Sequence, residues 1–307
     1  MMFRPGVVIP VGPGREENLQ MVLECLQRQT LQPECVVLVL DGVGDLWPEV
    51  HNVQLPKHRP GMEQPRNIGV RELQKVAAFG LPNPITHVWF LDTDIIFGPN
   101  TLQAFADAYE ANPEPRILVG PYDWMKPGER TLPPVDLSRD SDRIDHADDR
   151  WNAFDAHPPD EVTYNPTGSG PACFSGNLVW PIDEFWRVGG FWDQMHHGRC
   201  EDGELGIRAV AAGVGVSFVA KARGFHLWHP VNVDWVLATN AVDVPKINKR
   251  HPFMPDGEGP HLLMAAKDGV RFDFKCPTCG GRFNSLSYWA HAGGVDWQCT
   301  APHAATA

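Results

Sequence analysis

Short apolar runs and amphipathic stretches alternate along the first part of the chain. GVVIPVG (6–12) and CVVLVLDG (35–42) are rich in β-branched residues and predict two buried strands. Between them, Leu19, Val22 and Leu26 recur at the spacing of one helix face. The order strand, helix, strand within about forty residues is typical of a parallel sheet with right-handed crossover connections.

The same alternation continues along the chain and predicts an α/β, Rossmann-like fold, with a mostly parallel sheet flanked by helices. The further predicted strands are THVWFLDTDIIF (86–97), RILVGPYDW (116–124) and GVSFVA (215–220). The further predicted helices cover 66–79, 101–112, 182–189 and a stretch that begins at Glu201. No internal repeat interrupts this pattern.

The periodicity fails between residues 126 and 170, which are rich in Pro, Asp and Arg. This stretch is predicted to be a long loop insertion with one short helix at 148–154, and loops of this length are usually binding loops, lids or disordered. We therefore expect one domain over residues 1–265, which is large enough to be a catalytic domain, and a small Cys-rich appendage over 266–307.

Composition narrows the class of protein. Hydrophobic residues make up 43% and charged residues 21% of the 307-residue chain, as in ordinary globular proteins. The net charge of −12 disfavours nucleic acid or anionic lipid as a partner, because both are bound by clustered Lys and Arg.

No apolar run reaches the ~18 residues of a membrane span, and no secretion signal is evident at the start, so a cytoplasmic enzyme is expected.

Two carboxylates, Asp92 and Asp94, interrupt the most apolar of these runs. A charge beside Leu91 and Ile95 must be paired, metal-bound or neutralised. Ligands of open α/β sheets lie at the carboxyl ends of the strands, where Asp41 also falls. These residues therefore predict a divalent cation at one shared crevice, and the alternative is a strand that ends in a solvated loop.

In chain order, the motifs VVIPVG, VVLVLDG, QPRNIGV, FLDTDIIF, FSGNLVWP, GRCEDGELGIRAVAAG and FHLWHP resemble those of GT-A fold glycosyltransferases, which use nucleotide-sugar donors. The resemblance spans roughly residues 6–230. It is to family-2-like members, with a carboxyl half similar to galactosyltransferases and polypeptide N-acetylgalactosaminyltransferases. It implies the GT-A fold and sugar transfer to a hydroxyl acceptor.

The resemblance identifies DTD as an aspartate-x-aspartate (DXD) motif that holds Mn²⁺ or Mg²⁺ against the donor diphosphate. Hard oxygen ligands suit such ions. The implied metal ligands are Asp94, Asp92 directly or through the metal's waters, and His226, with His229 as a substitute. The implied donor-binding residues are Pro10, Val11, Gly12, Asp41, Arg66, Asn67 and Asp92.

The motif CEDGEL is implied to hold the catalytic carboxylates at a helix start. Asp202 is the candidate base for the acceptor hydroxyl, and Glu201 is expected to fix the acceptor or assist. The alternative is that both only favour the helix dipole. The implied acceptor-binding residues are Gly176, Asn177 and Trp192.

The appendage contains Cys-x-x-Cys followed by Gly-Gly, which is typical of a zinc knuckle. Cys276, Cys279 and Cys299, with His291 or His303, would complete a structural Zn²⁺ site. Such a small unit has little core of its own, so metal binding would supply its folding energy. The alternative is free thiols on a short hairpin.

The sequence thus predicts a metal-dependent hexosyltransferase-like enzyme that moves a sugar from a nucleoside-diphosphate sugar to a saccharide or other hydroxyl acceptor, with inversion. Three alternatives stay open. They are a retaining transferase on the same scaffold, a transferase acting on modified nucleic acid, and a non-catalytic module that binds nucleotide or saccharide.

Overall fold

A computed structural model of the chain describes part of its length. The described residues are 2–44, 47, 50–55, 61–80, 83–132, 143–148, 162–165, 173, 175–195, 201–230, 242–243, 246–247, 250, 274–275 and 282–283. The predicted zinc ligands Cys276, Cys279, His291 and Cys299 lie outside them.

The described strands are numbered in chain order. They are β1 (Pro5–Val11), β2 (Cys35–Leu40), β3 (His51–Gln54), β4 (His87–Leu91), β5 (Ile95–Phe97), β6 (Arg116–Val119), β7 (Tyr122–Met125), β8 (Ile144–His146), β9 (Val162–Asn165), β10 (Asn177–Pro181), β11 (Gly215–Val219), β12 (Gly224–His226), β13 (Phe274–Lys275) and β14 (Arg282–Phe283).

Eight of these strands form one central sheet in the order β3-β2-β1-β4-β10-β6-β11-β9. The four strands from β3 to β4 are parallel, and so is the β6–β11 pair. Strand β10 runs antiparallel to both β4 and β6, and β9 runs antiparallel to β11. The predicted mixed α/β fold with a largely parallel sheet is therefore confirmed, although β3, β9 and β10 have no counterpart among the predicted strands.

A second, smaller sheet has the order β5-β12-β7-β8. Its strand β5 corrects the prediction of one strand over residues 86–97, because the chain leaves the central sheet after Leu91. A turn follows, in which the Ile95 amide donates to the Asp92 carbonyl at 3.3 Å. Aspartates favour turns, and a continuous buried strand would leave their carboxylates without partners. The turn therefore sets DTD at the junction of the two sheets.

The segment 126–170 also differs from the predicted loop. Strand β8 pairs with β7 in the small sheet, and β9 lies at the edge of the central sheet. These strands were missed because each has only three or four residues, which is too short for a clear apolar alternation. The predicted helix at 148–154 falls almost wholly outside the described residues.

Helices cover both faces of the central sheet. Among the described residues they are α1 (Glu16–Gln27), α2 (Glu63–Gly80), α3 (Thr101–Ala111), α4 (Ile182–Arg187) and α5 (Glu201–Ala211). Side chains of α1 and α3 share one apolar core with alternate residues of β1, and side chains of α2, α4 and α5 share the other. This is the three-layer arrangement expected of an α/β domain.

Helix α2 approaches the sheet closely because it has a glycine at the contact. A Cβ atom on Gly69 would collide with Val8 of β1. The close approach brings the first turn of α2, with Arg66 and Asn67, into the protein interior, where both side chains are buried.

The described part of the appendage is a ribbon in which β13 pairs antiparallel with β14. The residues between these strands, 276–281, include Cys276 and Cys279 and lie outside the described part of the chain. The zinc site therefore stays a prediction. No helix among the described residues is long and apolar enough to cross a membrane.

Candidate active site

Three neighbouring parallel strands end at the same edge of the central sheet. Strand β1 ends beside β2, and the Asp41 amide donates to the Val11 carbonyl at 2.9 Å. No atom lies within 4 Å of the position that a Cβ on Gly12 would take, so the backbone there borders open space. The structure thus brings Gly12 and Asp41 of the predicted donor site to one edge, with Pro10 and Val11 buried in β1 behind them.

Beside this edge, two histidines face the second aspartate of DTD. His226 Nε2 lies 3.7 Å from Asp94 Oδ1, and His229 Nε2 lies 3.4 Å from Asp94 Oδ2. Strand β12 pairs with β5, and the Leu227 amide donates to the Asp94 carbonyl at 2.8 Å, which fixes this arrangement. One potential ligand atom from each of the three residues lies within 4.8 Å of the others. His229, which was predicted only as a substitute for His226, therefore lies beside it.

Positive groups surround Asp94. Burial alone would raise the pKa of Asp94, but His226, His229 and Arg15 together lower it to about 2. The hydrogen bond to Asp94 in turn raises the pKa of His229. Asp94 is therefore an anion across the physiological range.

Arg15 was missed by sequence reasoning. Its Nη1 atom lies 3.6 Å from Asp94 Oδ2, and its side chain is 38% exposed. The signal in the sequence was a basic residue between the first strand and the first helix, where a helix amino end also favours an anion.

The first aspartate of DTD has a different partner. Asp92 Oδ1 accepts a hydrogen bond from Arg66 Nη2 at 2.7 Å, and Arg66 Nη1 donates to Glu201 Oε1 at 2.5 Å. Arg66 is 2% exposed and Glu201 is 3% exposed. A single buried guanidinium thus joins the DTD turn to the amino end of α5, and Asp92 is not part of the Asp94–histidine group.

The predicted catalytic carboxylates do begin α5, as the sequence indicated. Burial and the neighbouring Asp202 raise the pKa of Glu201 to about 8, and Arg66 only partly opposes this. Glu201 Oε2 is buried and has no hydrogen-bond partner among the described residues. Glu201 therefore holds a proton at neutral pH.

Asp202 is half-buried and well oriented. Its Oδ2 accepts from the Ser175 amide at 3.1 Å and from the Ser175 hydroxyl at 3.3 Å, and its Oδ1 accepts from the Gly203 amide at 2.7 Å. Burial raises the pKa of Asp202, while Arg66 and these donors lower it in part. Ser175 was not singled out from the sequence, although it precedes the predicted Gly176.

The loop between α4 and α5 forms hydrogen bonds to both α2 and α5, the helices that carry Arg66 and Glu201. The Asn67 side chain donates to the Phe191 carbonyl at 2.8 Å and accepts from the Phe191 amide at 2.9 Å. Arg208 of α5 donates to the Gly190 carbonyl at 2.7 Å. Asn67, which was predicted to bind the donor, therefore holds α2 against this loop. Arg66 lies on the same helix and is positioned together with it.

The predicted acceptor residues fall in different surroundings. A Cβ on Gly176 would lie 3.4 Å from Asp92 Oδ2 and 3.2 Å from the Tyr122 ring, so glycine keeps the chain close to DTD. Trp192 is partly buried, and the Arg250 guanidinium lies 4.4 Å from its ring centroid. This contact places the Arg250 guanidinium over one face of the Trp192 ring.

Asn177 lies in the sheet interior and is fully buried. Its Oδ1 accepts from Trp89 Nε1 at 3.0 Å, and its Nδ2 donates to the Ala222 carbonyl at 2.6 Å. These bonds tie the central sheet to the turn that precedes β12. The Asn177 side chain therefore stabilises the strands next to the site and lies in the sheet interior.

Replacing Asn177 with alanine should destabilise the fold by about 2–4 kcal/mol, because buried polar groups left unpaired cost about 1–3 kcal/mol each. Urea unfolding of Asn177→Ala measures this, with the exposed Asn112→Ala as the matched control. Unchanged stability together with weaker acceptor binding would instead assign Asn177 to the acceptor site.

Comparison with known proteins rests on structure. No family sequence model matches the chain. No curated protein sequence matches it either. A search of solved structures matches it to the crystal structure of S. aureus TarS 1–349, with a TM-score of 0.53 and 15% identity over 73% of this chain and 60% of that chain.

Two ligand complexes of the same protein also match. TarS 1–349 with UDP-GlcNAc has a TM-score of 0.53 and 14% identity, over 75% of this chain and 60% of that chain. TarS 1–349 with UDP has a TM-score of 0.52 and 15% identity, over 86% and 70%. The chain therefore shares the fold of TarS.

The similarity to TarS extends to the fold and no further, because sequence identity is low. The chain also spans less than two thirds of the length of the first TarS structures that it matches. The matches do not bear on the expected likeness of the carboxyl half to galactosyltransferases, which stays a prediction.

Proposed function

We propose that this protein is a metal-dependent glycosyltransferase that moves a sugar from a nucleoside-diphosphate sugar to a hydroxyl acceptor, with inversion at the anomeric carbon. The observation that supports this most is the contact of Arg66 with both Asp92 and Glu201. Through this contact one guanidinium joins Asp92 of the candidate metal motif to Glu201, the residue before the candidate base Asp202, which supports a single transfer centre.

On the donor side, Asp41 and the backbone at Gly12 would receive the nucleoside at the open edge of β1 and β2. Arg15 stands at the start of α1 next to Asp94, where its guanidinium would bind the diphosphate. The crystal structures of TarS with UDP and UDP-GlcNAc make a uridine diphosphate sugar the first donor to test.

The donor set of Asp94, His226 and His229 fits a divalent metal ion. A carboxylate that stays ionised and two imidazoles meet at one point, and each imidazole has its Nδ1 at a backbone carbonyl. A bound divalent ion would neutralise the diphosphate charge that develops as the sugar departs. Asp92 would contact the ribose or the metal's waters while Arg66 holds it in place.

On the acceptor side, Asp202 would accept the proton of the acceptor hydroxyl. As that oxygen forms its bond to the anomeric carbon, the bond from the anomeric carbon to the diphosphate oxygen breaks, and nucleoside diphosphate leaves. Glu201, which holds its proton at neutral pH, would donate a hydrogen bond to the acceptor. Gly176 leaves room beside Asp92, and Trp192 offers an aromatic face near α5.

Three alternatives differ in observable ways. A retaining transferase would give the opposite product stereochemistry from the same donor. A transferase acting on modified nucleic acid is disfavoured by the net charge of −12. A non-catalytic binding module needs no oriented carboxylate, whereas Asp202 accepts three hydrogen bonds from Ser175 and Gly203.

The proposal predicts metal-dependent donor binding. A uridine diphosphate sugar with Mn²⁺ should raise the melting temperature by several degrees, since a ligand at 100 times its Kd adds about 2.7 kcal/mol to the free energy of unfolding. A thermal-shift screen of nucleoside diphosphates and their sugars, with and without Mn²⁺, measures this.

Asp94→Asn should remove the Mn²⁺-dependent part of that shift, because the amide lacks the charge that the ion needs. The surface variant Asp107→Asn, on the exposed side of α3, serves as the matched control. A full shift in Asp94→Asn would place the donor elsewhere, and no shift with any nucleotide would contradict the proposed function.

A further inference from the structure

One face of Trp192 carries the guanidinium of Arg250. The guanidinium carbon lies 4.4 Å from the centroid of the Trp192 ring. The Trp192 side chain is partly buried, and the Arg250 side chain is 34% exposed. Arginine stacks flat on aromatic rings, and such a stack leaves the edges of the guanidinium open to other groups. A ligand that approaches this face of Trp192 therefore meets a positive charge instead of an apolar ring.

Arg250 is not needed to neutralise the buried carboxylate beside it. Its Nε atom lies 3.3 Å from Glu204 Oε1. Glu204 is fully buried and already accepts three hydrogen bonds from Arg208, two from Nε at 2.8 and 3.0 Å and one from Nη2 at 2.7 Å. Asp193 also lies near Arg250, but it is exposed, so water and salt screen its charge. Arg250 is thus a second arginine on a carboxylate that one arginine already satisfies.

The Arg250 side chain also has hydrogen-bond donors that face neither of these neighbours. Nε is the atom directed at Glu204, and the flat face covers Trp192. Within the described part of the chain, neither Nη1 nor Nη2 of Arg250 donates a hydrogen bond. These two groups form the fork that binds a carboxylate or a phosphate through two parallel hydrogen bonds. The structure therefore presents a guanidinium fork to a ligand.

The segment that carries Arg250 is fixed to the loop that carries Trp192. Lys246 Nζ donates to the Gln194 carbonyl at 3.1 Å and to Asp243 Oδ1 at 3.0 Å. Ile247, the next residue, is fully buried. Because these contacts already order the segment, a ligand of Arg250 would bind with a small loss of conformational entropy.

The Arg250 guanidinium lies on the side of the site that holds the candidate base. Glu204 follows Glu201 by three residues in α5, so their side chains lie on the same face of that helix. Asp202 belongs to the same turn. An acceptor whose hydroxyl reaches Asp202 would therefore have another part of its structure beside Arg250.

We propose that Arg250, stacked on Trp192, binds a carboxylate or phosphate group of the acceptor, so that the acceptor is an acidic saccharide. This inference rests on the proposed function for the transfer reaction and deepens it by naming the acceptor class. A single arginine matches a single anionic group. A polyanion such as nucleic acid is bound by clustered Lys and Arg, and the net charge of −12 disfavours it.

The test compares three probes of similar size by nuclear magnetic resonance titration of the full chain, without donor or metal. They are methyl glucoside, methyl glucuronide and methyl glucoside 6-phosphate. The two acidic probes should bind on the order of 10-fold more tightly than the neutral one, because hydrogen bonds between charged groups are about twice as strong as neutral ones. The acidic probe that binds more tightly distinguishes a carboxylate acceptor from a phosphate acceptor.

Arg250→Gln should remove this preference and leave the affinity for methyl glucoside unchanged. The fold should survive because Glu204 keeps its bonds to Arg208. Arg250→Lys keeps the charge but lacks the fork, so it should retain only part of the preference. Arg187→Gln, which removes an exposed arginine of α4, is the matched control. Arg15→Gln should keep the preference, since it would weaken an acidic probe only at the donor site.

Equal affinity for acidic and neutral probes, or a preference that Arg250→Gln leaves intact, would overturn the inference. So would a preference that disappears in Arg15→Gln, or no binding of any probe. The thermal shift with a uridine diphosphate sugar and Mn²⁺ should be the same in Arg250→Gln and wild type. If the wild type lacks that shift while the acidic preference holds, the proposed transfer fails and the anion site at Arg250 stands.

Discussion

Asp202→Asn is expected to lower kcat on the order of 10²- to 10⁴-fold, which is the usual contribution of a general base. The amide keeps the shape of the side chain, and its one oxygen can still accept from either the Ser175 or the Gly203 amide, so the fold and donor binding should survive. Single-turnover transfer with a uridine diphosphate sugar measures the rate, and the thermal shift with donor and Mn²⁺ measures binding.

The pH dependence adds a second signature to this prediction. Burial raises the pKa of Asp202, so wild-type activity should rise with pH through a midpoint above the ordinary aspartate value, because only the ionised carboxylate accepts a proton. Activity should fall again near pH 8, where Glu201 loses its proton. The residual rate of Asp202→Asn should lack the acidic rise, and Glu201→Gln should lack the alkaline fall.

The matched control is Asp183→Asn, an exposed aspartate at the start of α4. It should leave both rate and binding unchanged. Equal turnover in Asp202→Asn and wild type would remove Asp202 from the base role. No transfer or hydrolysis by the wild type, with donor binding intact, would favour the non-catalytic binding module.

The parts of the site that could be predicted from sequence are those that local patterns determine. Asp94 follows an apolar strand and Glu201 begins an amphipathic helix, and both positions depend on periodicity within a short stretch of chain. The structure brings Asp94, His226 and His229 together because β5 and β12 pair, although 132 residues separate Asp94 from His226. Only the family resemblance linked them in advance.

The partners of the predicted residues could not be derived from sequence. Arg66 bonds Glu201, which lies 135 residues further along the chain, and Asn67 bonds the Phe191 backbone, 124 residues away. Such contacts depend on how closely α2 packs on the sheet, and thus on Gly69 and its neighbours. The role of Asn177 could not be derived from sequence either. In the motif FSGNLVWP, an asparagine next to small residues can line a pocket or join two strands.

Arg66→Met is expected to destabilise the protein by about 1–3 kcal/mol at neutral pH, because it removes the hydrogen-bond donor of the buried Glu201 carboxyl and of Asp92. Glu201 is 3% exposed, and Asp92 and Asp202 lie close by. Urea unfolding at several pH values measures the loss. Arg71→Met, which removes an exposed arginine of the same helix, is the control.

The loss should depend on pH in a defined direction. Without the guanidinium, the pKa values of Glu201 and Asp202 rise further above their unfolded values, so the folded protein binds more protons than the unfolded chain. The stability of the variant is then highest below pH 4, and falls as pH rises through the folded-state pKa values. The gap between wild type and variant should therefore widen where the wild type has lost a proton that the variant still holds, which for Glu201 is above pH 8.

Neutralising Glu201 provides the decisive comparison. In the Arg66→Met background, Glu201→Gln should recover part of the lost stability at pH 8, because the amide is neutral in both states, whereas Glu201 must take up a proton when the chain folds at that pH. It should recover little at pH 4, where Glu201 is already protonated. A loss that is the same at every pH, and that Glu201→Gln does not relieve, would mean that Arg66 acts through packing against Phe191, whose ring centroid lies 5.4 Å from the guanidinium carbon. In that case the connection between Asp92 of the DTD motif and helix α5 would not be electrostatic.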